Sequence, residues 1–193
     1  TSKVNNYTYF GYDTPICNKS YCNLPRNFGI NQACDKTAPP LTDATIHKAV
    51  KRYNLKQCTG YGPIKYWDTS KVTNMKSLFY KMKSFNEDIS DWNVSGVTKM
   101  VQMFYFAKAF NQPLDKWNVS KANNIIQMFS SAINFNQPLK SWDVSNVTTM
   151  GEMFHGATKF NQPLNNWNVS KANNISGVFN TAKSFNQPLD NWN

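Results

Sequence analysis

The sequence predicts an α/β solenoid: a leucine-rich-repeat-like stack of parallel strands, with short helices or 3₁₀ turns on the other side. The first observation behind this prediction is a strict period of 25 residues between the six tryptophans of the chain. The second is that two rows of phenylalanine, and a proline followed by leucine or isoleucine, repeat with the same period. The third is a change of hydrophobic spacing halfway through each unit. The tryptophans are Trp67, Trp92, Trp117, Trp142, Trp167 and Trp192.

The two halves of one repeat predict different backbone conformations. Leu114, Trp117 and Val119 follow the spacing of a leucine-rich-repeat strand, so we expect Trp117 and Val119 to point inward. Ile125 and Phe129 belong to a run with three- and four-residue steps, which is typical of a short helix or 3₁₀ turn. The Asn-Gln-Pro sequence that comes next ends this turn and returns the chain to the following strand.

A capping helix is predicted ahead of the repeats, over residues 42–54. Its apolar stripe includes Ile46 and Val50, and Thr42 or Asp43 provides the N-cap. The first unit of a solenoid needs to be covered by such an element, because its inner face is otherwise exposed to water.

The chain divides into two regions. Residues 1–59 form a Cys-rich N-terminal segment that includes the capping helix, and residues 60–193 form the array, with five full repeats and a terminal strand. The sequence contains no closing element after the sixth tryptophan. We therefore expect either further repeats or a partner chain at the C-terminal edge, since an open edge promotes association.

All four cysteines lie in the N-terminal segment, and none lies in the repeats. Their spacing lacks the C-x₂-C pairs typical of structural zinc, so two disulfides are favoured over zinc or free thiols, with three pairings open. Disulfides indicate a secreted or cell-surface protein, or alternatively the lumen of an oxidising organelle. Asn6 and Asn18 are candidate glycosylation sites. The cysteines are Cys17, Cys22, Cys34 and Cys58.

The net charge of +10 is spread over both regions and indicates an acidic partner: a protein, an anionic glycan or a lipid headgroup surface. Nucleic acid is disfavoured because no known nucleic-acid-binding motif is present, and no apolar run is long enough to span a membrane. One candidate binding row consists of Lys83, Lys108, Lys159 and Lys183. The alternative interpretation is that each of these lysines is a cation at the end of a short helix. A second candidate binding row is polar and consists of Asp68, Asn93, Asn118, Asp143 and Asn168. The alternative interpretation is a hydrogen-bond ladder in which these side chains satisfy one another.

The residues give no reason to expect an enzyme, a cofactor or a metal site. The two histidines, His47 and His155, fit ordinary surface or boundary positions. The acids Glu87, Asp88 and Asp91 cluster in one degenerate copy, where a solvated turn accounts for them better than a general acid/base pair. No phosphate-binding loop, zinc-protease motif or nucleophile elbow is present.

The repeat resembles that of the BspA-like leucine-rich-repeat surface proteins. The resemblance rests on Trp-Asp/Asn-Val-Ser-x-Val-Thr-x-Met, followed by Met-Phe and Phe-Asn-Gln-Pro-Leu, at a period of 25 residues. The stretch from Thr42 to Phe79 is also similar to the opening segment of algal and other protist members. This resemblance implies a surface-exposed or secreted protein used in adhesion or recognition, and it implies no catalytic residues.

These observations predict a non-enzymatic recognition or adhesion module. The alternative is an accessory structural subunit of a larger assembly in an oxidising lumen, docked through its basic surface and open C-terminal edge. A weaker alternative is an ice-binding protein, which would use the regular ladder of short polar residues, although Ser, Asn and Asp stand where Thr would be expected.

Overall fold

The computed structural model describes residues 38–57 and 59–192. Helix α1 spans Asp43–Asn54, and a 3₁₀ helix spans Ile64–Tyr66. Elsewhere in these ranges the chain forms stacked coils, one per 25-residue repeat, which isolated parallel β-bridges join. The bridges link Thr42 to Lys71, and then Asn74, Lys99, Asn124, Thr149 and Asn174 in succession.

The helix predicted over residues 42–54 is confirmed. Thr42 is its N-cap, and the Thr42 amide donates a hydrogen bond of 2.9 Å to Thr45 Oγ1 as part of a capping box. Ile46, Ala49 and Val50 form its buried face. The apolar stripe therefore packs inward, as its spacing of three and four residues requires.

Helix α1 is fastened to the first coil by polar contacts as well as by its apolar face. The Asp43 carboxylate accepts hydrogen bonds from the Thr73 amide at 2.8 Å, the Thr73 hydroxyl at 2.6 Å and the Asn74 amide at 3.0 Å. Partial burial raises the pKa of Asp43, but these hydrogen bonds outweigh it and hold the pKa below its usual value. His47 Nε2 donates to the carbonyl of Lys76 at 2.8 Å.

Backbone hydrogen bonds run from each coil to the next at alternate residues. The amides of Met100, Gln102, Phe104 and Phe106 each donate to a carbonyl of the following coil at 2.9 Å. The intervening amides close 3₁₀-type turns, as in Tyr105 N–H to Gln102 O at 3.2 Å. Gln102 and Phe106 accordingly have φ values of 56°.

The distribution of backbone structure within a repeat differs from the expectation. Residues 114–119, where a strand is predicted, contain a turn at 115–116 and no bridge, and the parallel bridges fall later, at Asn124 and its equivalents. Residues 126–131 form turns rather than a helix. The physical reason is that alternate amides of this second half are used between coils, so they cannot also close a helix. The inward positions of Trp117 and Val119 are confirmed, since each is 2 % exposed.

Aromatic rows form the centre of the stack. Phe129 packs between Phe104 and Phe154, with ring centroids 5.4 Å and 5.6 Å apart and nearly parallel planes. Within its own coil, Phe129 also stacks on Phe135 at 4.1 Å. All four rings are fully buried. Because each ring is covered by the equivalent ring of its neighbours, no coil can bury its aromatic residues alone.

Each tryptophan from Trp92 onward also binds the coil before it through its indole nitrogen. Trp117 Nε1 donates to the carbonyl of Ile89 at 3.1 Å, and Trp142 Nε1 donates to the carbonyl of Leu114 at 2.9 Å. The same contact recurs from Trp92 to Trp192 with a separation of 28 residues. The N–H group of a buried indole needs such an acceptor, and phenylalanine at this position would leave the carbonyl without its donor.

An asparagine ladder follows each second phenylalanine. The Asn136 amide donates to Asn111 Oδ1 at 2.9 Å, and Asn136 Oδ1 in turn accepts from the Asn161 amide at 2.9 Å. The Asn of each Phe-Asn-Gln-Pro sequence thus satisfies a backbone donor of the next coil. The ladder runs through Asn86, Asn111, Asn136, Asn161 and Asn186.

The last coil of the chain is less covered than the others. Ile175 is 48 % exposed, whereas Ile125 and Met150, at the equivalent position, are at most 1 % exposed. We propose that the stack as a whole is a leucine-rich-repeat solenoid with α1 as its N-terminal cap. The predicted division at residues 59 and 60 stays a prediction.

Candidate functional site

The candidate lysine row lies where each coil turns towards its second phenylalanine. Lys83, Lys159 and Lys183 are exposed and Lys108 is half-buried. The prediction of one row is wrong for Lys159, which lies one residue beyond three full periods from Lys83. Its amide donates to the carbonyl of Ile133 at 3.2 Å, just as the Asn134 amide donates to Lys108. The position shared by Lys83, Lys108 and Lys183 is therefore held by isoleucine and threonine in the third and fourth copies.

Aromatic side chains accompany these lysines in the first two coils. Tyr80 and Tyr105 stack with centroids 5.0 Å apart and an interplanar angle of 7°, and Phe106 leans against Tyr105 at 4.9 Å. The Lys81 ammonium lies 5.0 Å from the centre of the Tyr80 ring, and Lys108 Nζ lies 5.9 Å from the centre of the Phe106 ring. We call this cluster the aromatic-lysine corner; it consists of Tyr80, Lys81, Lys83, Tyr105, Phe106 and Lys108.

Sequence reasoning missed four members of the corner. Tyr80, Lys81, Tyr105 and Phe106 fall outside the aromatic rows that repeat through the whole chain. A signal for them does exist, since the third copy has serine at both positions that Tyr105 and Phe106 occupy in the second. Large aromatic residues that appear in only one or two copies of a repeat are not needed by the shared core.

The predicted polar row is bonded within each repeat. Asn93 Oδ1 accepts hydrogen bonds from the Ser95 amide at 3.1 Å and the Ser95 hydroxyl at 2.7 Å, and Asn118 does the same with Ser120. Asp143 accepts from the Ser145 amide at 3.0 Å, and these serine contacts lower its pKa. All five side chains of the row are exposed, and each accepts a hydrogen bond from the backbone amide of the serine two residues later. They are Asp68, Asn93, Asn118, Asp143 and Asn168.

The acids of the degenerate copy pair with lysines of neighbouring coils. Asp88 Oδ2 lies 2.8 Å from Lys65 Nζ, and Asp91 Oδ1 lies 3.9 Å from Lys116 Nζ. The hydrogen bond from Lys65, followed by those from Ser90, lowers the pKa of Asp88 from 3.8 to about 2. Both acids thus lie close to basic side chains of neighbouring coils.

The two histidines have different surroundings. His47 joins α1 to the first coil, as described above, whereas His155 is half-buried and its Nδ1 atom has no hydrogen-bond partner. A shallow depression of about 460 Å³ lies between two coils, lined by Asp115, Ser141 and Asp143 among others. Ser141 donates to both oxygens of Asp115 at 2.9 Å, so this carboxylate is already bonded. Within the described ranges no three metal-binding side chains come together.

Several predicted features lie outside the described residues. They are the cysteines, namely Cys17, Cys22, Cys34 and Cys58, and the candidate glycosylation sites Asn6 and Asn18. The disulfide and glycosylation predictions therefore stay predictions. Among the described residues, no helix has the length and apolar character needed to cross a bilayer.

Comparison with known proteins identifies one family. A search of curated proteins and a search of solved structures each found no significant match. The profile of the family described as "Mycoplasma protein of unknown function, DUF285" matches residues 49–151 and 122–193. These matches extend over well more than half of the chain and include part of α1 and every repeat. The resemblance to BspA-like proteins is supported at this level, and the resemblance of the opening segment stays a prediction. The chain belongs to the DUF285 family.

Proposed function

We propose that this chain is a non-enzymatic recognition module of a secreted or surface protein and that it binds an anionic partner through its lysine-bearing turns. The observation that supports this most strongly is that these lysines take no part in the ion pairs of the described residues. The ion pairs within the described ranges use Lys65 and Lys116, and neither involves Lys83, Lys108, Lys159 or Lys183. Cations without an acidic neighbour are available to an external anion.

The stack suits recognition because its core is independent of these side chains. Lys83 and Lys183 are exposed, while Phe85 and its equivalents carry the packing. Each further coil places another copy of the same turn beside the last, with equivalent rings between 5 and 6 Å apart in the buried rows. A surface of this kind addresses an extended partner rather than a small molecule.

The bonded polar row supports the same assignment. Its side-chain oxygens accept hydrogen bonds from serines of their own repeats, which leaves the lysines as the stronger attraction for a ligand. The exposed Ile175 of the last coil is the feature that suits the accessory-subunit alternative, in which a partner covers this edge, and the serine contacts of the polar row give no support to ice binding.

The test replaces Lys83, Lys108, Lys159 and Lys183 together with glutamine. The matched control replaces Lys71, Lys99, Lys121 and Lys171, which are exposed, lie at other positions of the repeat and remove the same charge. Binding to immobilised anionic polymers at roughly 0.15 M salt is measured for both, with thermal unfolding as a check on folding. The proposal requires the first variant to lose more affinity than the control. Equal losses, or unchanged binding in about 0.5 M salt, would refute it.

A further inference from the structure

The aromatic-lysine corner holds its cations in place by means of its rings. Lys81 lies over the Tyr80 ring and Lys108 over the Phe106 ring, at 5.0 Å and 5.9 Å from the ring centres. A lysine that rests on an aromatic face loses less conformational freedom when an anion binds it. No ion pair in the described ranges neutralises these lysines. Among the described residues, the corner therefore presents positive charge that no ion pair neutralises, and two of its three lysines rest on rings.

The backbone at Phe106 indicates that this ring is kept for its surface properties. Phe106 has a φ of 56°, a conformation that glycine adopts without penalty and that a bulky residue seldom adopts. The equivalent residue of the first coil is Lys81, whose φ is 58°, and those of the following coils are Ser131, Gly156 and Thr181, all small. Phe106 is also only half-buried, so its ring adds less to the core than Phe104 does. Packing alone gives a poor account of a large ring at this position.

The corner is confined to the first two coils. In the third coil Ser130 and Ser131 replace the pair Tyr105 and Phe106, and Ile133 replaces the lysine. The remaining copies thus lack the combination of rings and cations. This confinement separates the corner from the general basic character of the chain.

We propose that the aromatic-lysine corner is the primary contact site for a sulfated polysaccharide. The inference rests on the proposed function and names the class of ligand. Lysine ammonium groups are compact charges that suit the oxygens of a sulfate group. The hydroxyls of Tyr80 and Tyr105 both donate and accept hydrogen bonds, as sugar hydroxyls do.

The shape and polarity of the corner favour a polysaccharide over an acidic protein. Protein interfaces usually depend on an apolar or aromatic anchor inserted into a closely packed pocket. Here the ring faces are occupied by one another and by the lysines, and the depression beside Asp115 and Asp143 does not include them. A hydrated, anionic chain that lies along the corner needs no such pocket.

The experiment measures binding of the whole chain to heparin, dextran sulfate, uncharged dextran and poly-glutamate by titration calorimetry. One variant changes Lys81, Lys83 and Lys108 to glutamine, and its charge-matched control changes Lys71, Lys121 and Lys171. A second variant, Tyr105→Ser with Phe106→Ser, keeps every charge and introduces the pair found naturally in the third coil. It is therefore compatible with the local backbone, and thermal unfolding confirms that both variants fold.

We expect both sulfated polymers to bind and uncharged dextran not to bind. The lysine variant should lose roughly tenfold in affinity for heparin and the control less than about threefold. The serine variant should also lose affinity, because Lys108 no longer rests on the Phe106 ring and Tyr80 loses its stacking partner. Equal losses in the lysine variant and its control, or unchanged heparin binding in the serine variant, would overturn the site.

The remaining outcomes separate this inference from the proposed function. Binding to poly-glutamate in preference to heparin would overturn the ligand class while leaving an anionic partner in place. Absence of binding to all three anionic polymers would overturn both.

Discussion

Truncation of Phe129 should destabilise the chain far more than truncation of Phe179, although both residues occupy the same position of the repeat. Phe129 is fully buried, and rings of both neighbouring coils stack on it at 5.4 Å and 5.6 Å. Phe179 is only partly buried, and between coils it stacks on Phe154 alone, at 5.7 Å. The contact within the coil is nearly equal in both cases, because Phe129 lies 4.1 Å from Phe135 and Phe179 lies 3.8 Å from Phe185.

The two substitutions therefore differ by one stacked ring and by the cavity that remains. Phe129→Ala should cost about 3–5 kcal/mol, since it removes a buried ring and leaves an enclosed void. Phe179→Ala should cost about 1.5–3 kcal/mol, since water can fill the space and mainly the transfer free energy of the ring is lost. Urea denaturation followed by tryptophan fluorescence measures both free energies of unfolding. Equal losses would refute the claim that each coil is stabilised by the coil on either side.

Three further predictions concern the polar contacts and the N-terminal segment. Asn136→Ala should lower the free energy of unfolding, measured by urea denaturation, by about 0.5–1.5 kcal/mol, because the Asn161 amide loses its acceptor. Asn186→Ala should have little effect, since Asn186 Oδ1 accepts no hydrogen bond between coils in the described structure. The Asp88 pKa is depressed from 3.8 to about 2, so the stability from this group is fully present above pH 3.8 and is lost as the pH falls through about 2. Acid titration of unfolding should thus show a weaker pH dependence for Asp88→Asn than for the wild type between pH 4 and pH 2, and identical curves would contradict the Lys65 contact. Reduction and alkylation of the chain should reveal two disulfides by intact mass, and labelling of all four cysteines without prior reduction would exclude them.

Sequence periodicity was sufficient to predict the repeat, its inward tryptophans and the helix that covers the first coil. These features depend on which side chains are buried. The strict spacing of Trp117 and its equivalents indicated that their side chains are buried, and Trp117 is indeed buried. The helix was predictable because its N-cap and apolar stripe are local signals, which Thr42 and Ile46 carry. The family match supports the resemblance that the repeat suggests.

The backbone pairing could not be predicted, because it depends on whether the carbonyl that accepts each amide hydrogen bond lies in the same coil or in the next one. Residues 125–132 have helical spacing, yet alternate amides of this half donate to the next coil, as the Phe104 amide does in the second copy. Gln102 and Phe106 themselves give no sequence warning of a positive φ, and the only signal is the glycine at their equivalents in later copies, Gly177 and Gly156. Sequence spacing likewise suggested that Lys159 is equivalent to Lys83. The hydrogen bonds between coils show that Thr158 occupies the equivalent position.

The central claim is that this chain recognises an anionic polymer through the aromatic-lysine corner. Acetylation of surface lysines with and without saturating heparin, read by peptide mass spectrometry, tests it most directly, because every lysine reports its own accessibility. We expect strong protection of Lys81, Lys83 and Lys108, with Lys71, Lys121 and Lys171 reacting as in the free chain. Equal protection of the two sets, or protection confined to the second, would contradict the account.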